Sequence, residues 1–122
     1  MASRTTVLLC DDSRALRMLT ARQLTECGFD VIGEADNGVT AVEQYQALRP
    51  SVVLLDLVMP QQDGKQALRQ ILEFDANARV VILSSLGAQN DIEECLRVGA
   101  KSYLQKPIDP EAMVRVLRET VL

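Results

Sequence analysis

Three aspartates, a serine and a lysine of this 122-residue chain each stand where an apolar run ends. Val7-Leu8-Leu9-Cys10 runs into Asp11-Asp12, and Val52-Val53-Leu54-Leu55 into Asp56. Val80-Val81-Ile82-Leu83 runs into Ser84-Ser85, and Tyr103-Leu104-Gln105 into Lys106-Pro107. A carboxylate beside such a run is rare unless it is paired, bound to metal or placed at the exposed end of a strand. Asp56 taken alone also fits a helix cap or a turn, and the other three run ends decide between the readings. If the runs are parallel strands, their C-terminal ends share one sheet edge, where open α/β sheets bind ligands.

Crowded carboxylates repel strongly at low effective dielectric and favour a divalent cation. The chain has no histidine, so the ligands are oxygens and the ion a hard one such as Mg2+, which needs only one or two protein carboxylates. Ser84 can donate to one phosphoryl oxygen, and Lys106 can act as a point charge on another. Phosphoryl transfer needs mainly positioning and charge neutralisation, and the nucleophile available in this set is a carboxylate. The missing histidine also removes Ser-His and Cys-His catalysis and His-ligated zinc.

The elements that must position these groups alternate along the chain. Strand one, Thr5–Cys10, leads through Ser13, a helix cap, to a helix reaching about Glu26, with Ala15, Leu16, Leu19 and Leu24 expected on its inner side and Gly28 as its stop. Val31-Ile32 form a short second strand and Asp36-Asn37-Gly38 a turn. Val39, Val42 and Tyr45 mark a helix to Leu48, ended by Pro50. The unbroken run before Asp56 suits a third strand buried on both faces. Beyond Asp63-Gly64, where Asp63 reads as a turn residue rather than a ligand, Ala67, Leu68, Ile71 and Leu72 have helical spacing. Val80–Leu83 is strand four, and Ile92, Cys95 and Leu96 mark a helix closed by Gly99. Tyr103–Gln105 is a weak fifth strand, and Asp109-Pro110 starts a last helix with Met113, Val114, Leu117 and Val121 inward. Five strands alternating with five helices, without linker or repeat, predict an α/β fold: one doubly wound, five-stranded parallel sheet in a single domain over residues 1–122.

Composition narrows the function classes. Apolar content of 48% with 25% charged residues reads as a soluble globular domain, and two Phe, two Tyr and no Trp make its core aliphatic. A net charge of −4 without a Lys/Arg run gives no footprint for nucleic acid or anionic lipid. No apolar run approaches the about 18 residues of a membrane-spanning helix. Cys10, Cys27 and Cys95, odd in number and far apart, read as reduced core or half-buried residues of a cytoplasmic protein. Cys10 adjoins the acids but fills an aliphatic strand position, which argues against a redox role.

Over essentially its whole length the chain resembles the receiver domains of bacterial two-component response regulators, the CheY-like family with the flavodoxin-like fold. The resemblance rests on Asp11-Asp12, Asp56 within Asp-x-x-Met-Pro-x-x-Asp-Gly, Ser84, Gly99-Ala100, Tyr103 and Lys106-Pro107. It implies that Asp56 is the phosphoacceptor and that Asp12, Asp56 and the Val58 carbonyl bind Mg2+ directly, with Asp11 acting through water. It implies a phosphohistidine of a histidine kinase as donor, Ser84 and Tyr103 as switch residues, and a cis Lys106-Pro107 bond. It also implies an output protein bound at the face built by helix four, strand five and helix five. Tyr103 on the sequence alone reads as a half-buried strand aromatic, and Ser85 as a spectator.

Glu34–Gly38 and Ser84-Ser85-Leu86-Gly87 look like the stand-alone chemotaxis-type regulators, a signalling protein rather than an enzyme. Lys101-Ser102 stand where DNA-binding relatives often carry two acids, and the chain stops with its last helix. Two alternatives are a receiver belonging to a larger regulator with a DNA-binding or cyclase output, and a small Mg2+-dependent phosphohydrolase with an Asp nucleophile. The latter usually has a second acid where Val58 stands. Val58 and Leu86 flank the route of water to the phosphoryl group in the family. Neither side chain can orient a water, so the expectation is slow self-dephosphorylation, unless Gln89 or Asn90 supplies the missing polar group.

Overall fold

The apolar run ahead of Asp56 is the middle strand of a parallel sheet, every residue of it buried. In the computed structural model, which describes residues 4–59, 63–85 and 87–122, the elements follow in the order β1 (Thr6–Cys10), α1 (Arg14–Glu26), β2 (Asp30–Ala35), α2 (Gly38–Leu48), β3 (Val52–Asp56), α3 (Gly64–Phe74), β4 (Val80–Ser84), α4 (Gln89–Val98), β5 (Ser102–Gln105) and α5 (Pro110–Val121). Pro60 and Leu86 lie outside the described residues. The strands are ordered β2-β1-β3-β4-β5 and all pairs are parallel. The chain reverses its direction of crossover between β1 and β3, which opens a crevice beyond the C-terminal ends of those two strands.

The sheet is covered on both faces, so its inner strands need apolar residues at every position. Val7, Leu9, Val52, Leu54, Val81 and Leu83 pack with Leu24 of α1 and Met113 and Leu117 of α5. Leu8, Cys10, Val53, Leu55, Val80 and Ile82 pack with α2, α3 and Cys95 of α4 on the other side. The caps are local and chemical. Ser13, Asn37, Asp63 and Asp109 each accept a backbone N–H of the helix they precede. Asp63 is therefore the cap of α3. The Lys106-Pro107 bond is cis, as the resemblance implied.

Three expectations are corrected. The inner stripe of α1 is not Ala15, Leu16, Leu19 and Leu24: Thr20 and Leu24 are buried and Arg17 and Ala21 half-buried, whereas Leu16 and Leu19 are 42% and 52% exposed. Positions 17, 20, 21 and 24 do follow helical spacing, but polar side chains occupy the upper part of the stripe, so hydrophobicity misplaced the face. β2 is longer than Val31-Ile32, because pairing with β1 holds it from Asp30 to Ala35 across a bulge at Val7/Leu8. Cys27 is exposed at the end of α1, whereas Cys10 and Cys95 are buried.

The end of the sheet opposite the crevice is closed by polar and aromatic contacts. The Tyr45 hydroxyl donates to Asp75 at 2.8 Å, the rings of Tyr45 and Phe74 meet edge to face, and the Arg49 guanidinium lies over Phe74. Thr6 and Ser51 join their hydroxyls at 3.0 Å. At the crevice end α3 presses directly on β3. The Gly64 N–H donates to the Leu57 carbonyl at 3.0 Å, and a Cβ at Gly64 would fall on the Asp56 carbonyl oxygen and 2.6 Å from Leu57 Cα. Backbone cannot yield as a flexible side chain would. Gly64→Ala is expected to lose about 1–3 kcal/mol of stability, read as a lower urea midpoint, and an unchanged midpoint would contradict the close approach.

Candidate functional site

Strand register brings the carboxylates together. Cys10 pairs with Leu55 and Asp56 with Leu83, so Asp11 follows β1 beside Asp56, and Ser84 ends β4 on the other side. One carboxylate oxygen from each of Asp11, Asp12 and Asp56 lies within 4.8 Å of the others. Lys106 enters from the end of β5, its N–H donating to the Ser84 carbonyl at 2.7 Å. Its ammonium bridges two of the acids, donating to Asp11 Oδ2 at 2.9 Å and to Asp56 Oδ2 at 2.7 Å.

Asp11 is buried and held at every polar atom for which a partner is seen. Its N–H donates to Ala35, its carbonyl accepts from Arg17 Nη1 at 2.7 Å, and Oδ1 accepts from the Ser13 N–H at 2.9 Å. Asp56 is also buried, and its Oδ1 accepts from the Val58 N–H at 3.1 Å. Asp12 is exposed, and so is the Val58 side chain. Ser84 is 2% exposed, and its Oγ has no hydrogen-bond partner among the described residues. A hydroxyl buried in that way carries a desolvation cost of about 1–3 kcal/mol. Tyr103 is 46% exposed and, with Gln89, Ile92, Leu96 and Gln105, lines a groove of about 400 Å³ between α4 and β5. Leu86 lies outside the described residues.

The five groups read from the run ends thus converge, and Tyr103 stands apart on the neighbouring surface. Arg17 was not among the sequence candidates, although it touches the loop that carries two of the acids. It lies four residues after the cap Ser13, and helical side chains lean back toward the N-terminus, which is the signal that would have found it. The Cys10 thiol is pushed far up by burial and by the neighbouring Asp11 charge, so it stays protonated and inert beside the acids.

The acids fit a hard divalent cation: they are oxygen donors in excess of the nearby positive charge. Without such an ion, burial raises the Asp56 carboxyl above its ordinary 3.8, against the lowering pull of Lys106 and the Val58 N–H, and Asp11 adds to the rise. For Lys106, burial lowers the ammonium's proton affinity, but its bonds and attraction to Asp56 and Asp11 outweigh this and the net shift is upward. A carboxyl that holds its proton more tightly folded than unfolded favours folding in acid, and that stability is lost as pH rises through its raised value. In EDTA, Asp56→Asn should therefore melt above the wild type at neutral pH, with the gap closing as pH falls toward 4. Thermal melts at a series of pH values check this, and a gap independent of pH would contradict it.

The family model of the response regulator receiver domain matches residues 7–118. The chemotaxis protein CheY of Thermotoga maritima is 37% identical over 113 residues, covering 93% of this chain and 94% of that protein. The chemotaxis protein CheY of Treponema pallidum is 45% identical over 105 residues, covering 84% of this chain and 73% of that one. Among solved structures, the CheX–CheY–BeF3–Mg2+ complex from Borrelia burgdorferi superposes with a TM-score of 0.92 at 34% identity, over 97% of this chain and 90% of the other. Among the described residues no helix is long and apolar enough to cross a membrane. Since the receiver-domain model spans most of the chain and these relatives are matched over most of their length, the chain belongs to the response regulator receiver domain family of two-component signalling.

Proposed function

We propose that this chain is a phosphorylation-dependent receiver of the chemotaxis type, in which Asp56 accepts a phosphoryl group from a phosphohistidine of a partner histidine kinase. The observation that carries the reading is the buried Ser84 hydroxyl without a partner, set one strand from the buried Asp56 that Lys106 already contacts. A phosphoryl group on Asp56 gives that hydroxyl an acceptor and gives Lys106 a second anionic oxygen. The relatives named as chemotaxis proteins, matched over most of their length, support the choice of type.

An Asp56 carboxylate oxygen forms the bond to phosphorus as the phosphorus–nitrogen bond of the donor imidazole breaks, and the released nitrogen takes the bonding pair and then a proton. Lys106 offsets the charge that gathers on the phosphoryl oxygens, and Ser84 donates to one of them. Asp11, Asp12, Asp56 and the Val58 carbonyl would hold Mg2+, which would supply positive charge to offset that of the acids and the incoming phosphoryl oxygens. The chemistry is done only on the chain itself, so the product is a changed surface. As Ser84 moves toward the phosphoryl group, Tyr103 turns in from its exposed position, altering the face of α4, β5 and α5 where an output protein binds.

Incubation with a small acyl phosphate and Mg2+ should add one phosphoryl mass to the intact protein. Asp56→Asn or EDTA should abolish the addition, and unchanged labelling of Asp56→Asn would sink the assignment. Followed in time, the same mass peak should decay slowly. Val58→Asn, which places a water-orienting amide beside the acceptor, should shorten its life several-fold.

Ser84→Ala should have opposite effects in the two states. It relieves a buried unsatisfied hydroxyl, so the unmodified protein should be as stable as wild type or more stable by up to about 1 kcal/mol. With beryllofluoride and Mg2+, the wild type should gain more stability than the variant, and the inward turn of Tyr103 should be lost in the variant's structure. Equal gains for both proteins would remove Ser84 from the switch.

A further inference from the structure

Among the described residues around the site, Arg17 alone spans two strand ends without belonging to the reacting set. Its Nη1 donates to the Asp11 carbonyl at 2.7 Å, and its Nε donates to Glu34 Oε1 at 3.2 Å. The side chain is only 16% exposed although it carries a full charge, and it occupies the inner stripe of α1 where a core residue would ordinarily sit. Glu34 lies on β2, and Asp11 directly follows β1. The guanidinium fork therefore fixes one peptide carbonyl against a second element, which a single-headed cation could not do.

That carbonyl belongs to the peptide leading into Asp12. The peptide is planar, and the Asp11 N–H on the preceding peptide is held by Ala35 at 3.0 Å. With both ends of Asp11 tethered, the Cα of Asp12 is placed by the backbone. Among the described residues no group bonds the Asp12 carboxylate itself, so that exposed acid depends on the backbone for its direction into the cluster.

We propose that Arg17 is a positioning residue for the cation site: by gripping the Asp11 carbonyl and Glu34 together, it holds the Asp11–Asp12 peptide so that the Asp12 carboxylate faces Asp11 and Asp56. The inference rests on the proposed Mg2+ site and names a residue that tunes it. Simple charge arithmetic predicts the opposite effect of removing Arg17, because deleting a cation near a cation site favours the incoming ion. A weakened affinity therefore reports geometry rather than charge.

The test is calorimetric titration of MgCl2 into the unphosphorylated full chain, a readout that needs no phosphoryl donor. Circular dichroism first confirms that each variant is folded at the working temperature. Arg17→Met keeps the aliphatic stem and loses both bonds, and its Mg2+ affinity should fall about tenfold. Arg17→Lys keeps the charge but cannot span both partners, and its affinity should fall by less. If one variant does not fold, the other decides alone. Affinity equal to or tighter than wild type in either folded variant overturns the proposal. Asp12→Ala is the control for the site itself. If wild type binds Mg2+ and Asp12→Ala does not, a failure in the Arg17 variants belongs to this inference only. If wild type shows no binding, the cation site and this inference fall together.

Discussion

Three carboxylates are held close by a sheet that cannot move apart to relieve them. Asp11 follows β1 and Asp56 ends β3, neighbouring strands whose apolar side chains are buried on both faces, so spreading the acids would require opening the core. One ammonium, that of Lys106, offsets part of the repulsion by bonding two of them. The remainder is a local cost stored in a well-packed scaffold, and groups of that kind collect at functional sites because the surrounding structure sustains them.

The pieces around the acids serve the same constraint. Gly64 lets α3 begin against the backbone of Asp56 and Leu57 with no side chain between them. Ser84 brings a hydroxyl into a buried place without satisfying it, a second small cost, set on the strand beside the first. The opposite choice was made for the aliphatic layers on both faces of the sheet, where among the described residues nothing polar is left unsupported. Stability comes from those layers, and the strained polar groups are confined to one edge.

Most of this arrangement is written in the chain because a parallel sheet imposes a simple rule on its strands. Buried on both faces, they read as unbroken apolar runs, and whatever follows each run must lie on the shared edge. Asp11, Asp56, Ser84 and Lys106 were legible for that reason. The rule fails where a strand is an edge strand: β2 contains Gly33 and Glu34, lacks a full apolar run, and was read too short. It fails again on α1, where Arg17 and Thr20 hold inner positions while Leu16 and Leu19 face outward beside a cleft bordered by Pro107 and Ile108. Hydropathy finds an inner face only when burial is its purpose, and here the upper part of that face is given to a polar contact. The switching role proposed for Tyr103 comes from the resemblance alone, because a half-exposed aromatic on a short strand carries no signal of its own.

The contacts at the far end of the sheet have a practical meaning. Tyr45, Asp75, Phe74, Arg49, Thr6 and Ser51 tie the starts of the strands and the ends of the helices together. A five-residue strand separates that base from the acidic edge by about 16 Å. The protein therefore has a mounting end and a working end. A tether, tag or surface linkage attached at the base leaves the acidic edge uncovered, and two such molecules held back to back would leave both edges open to solvent.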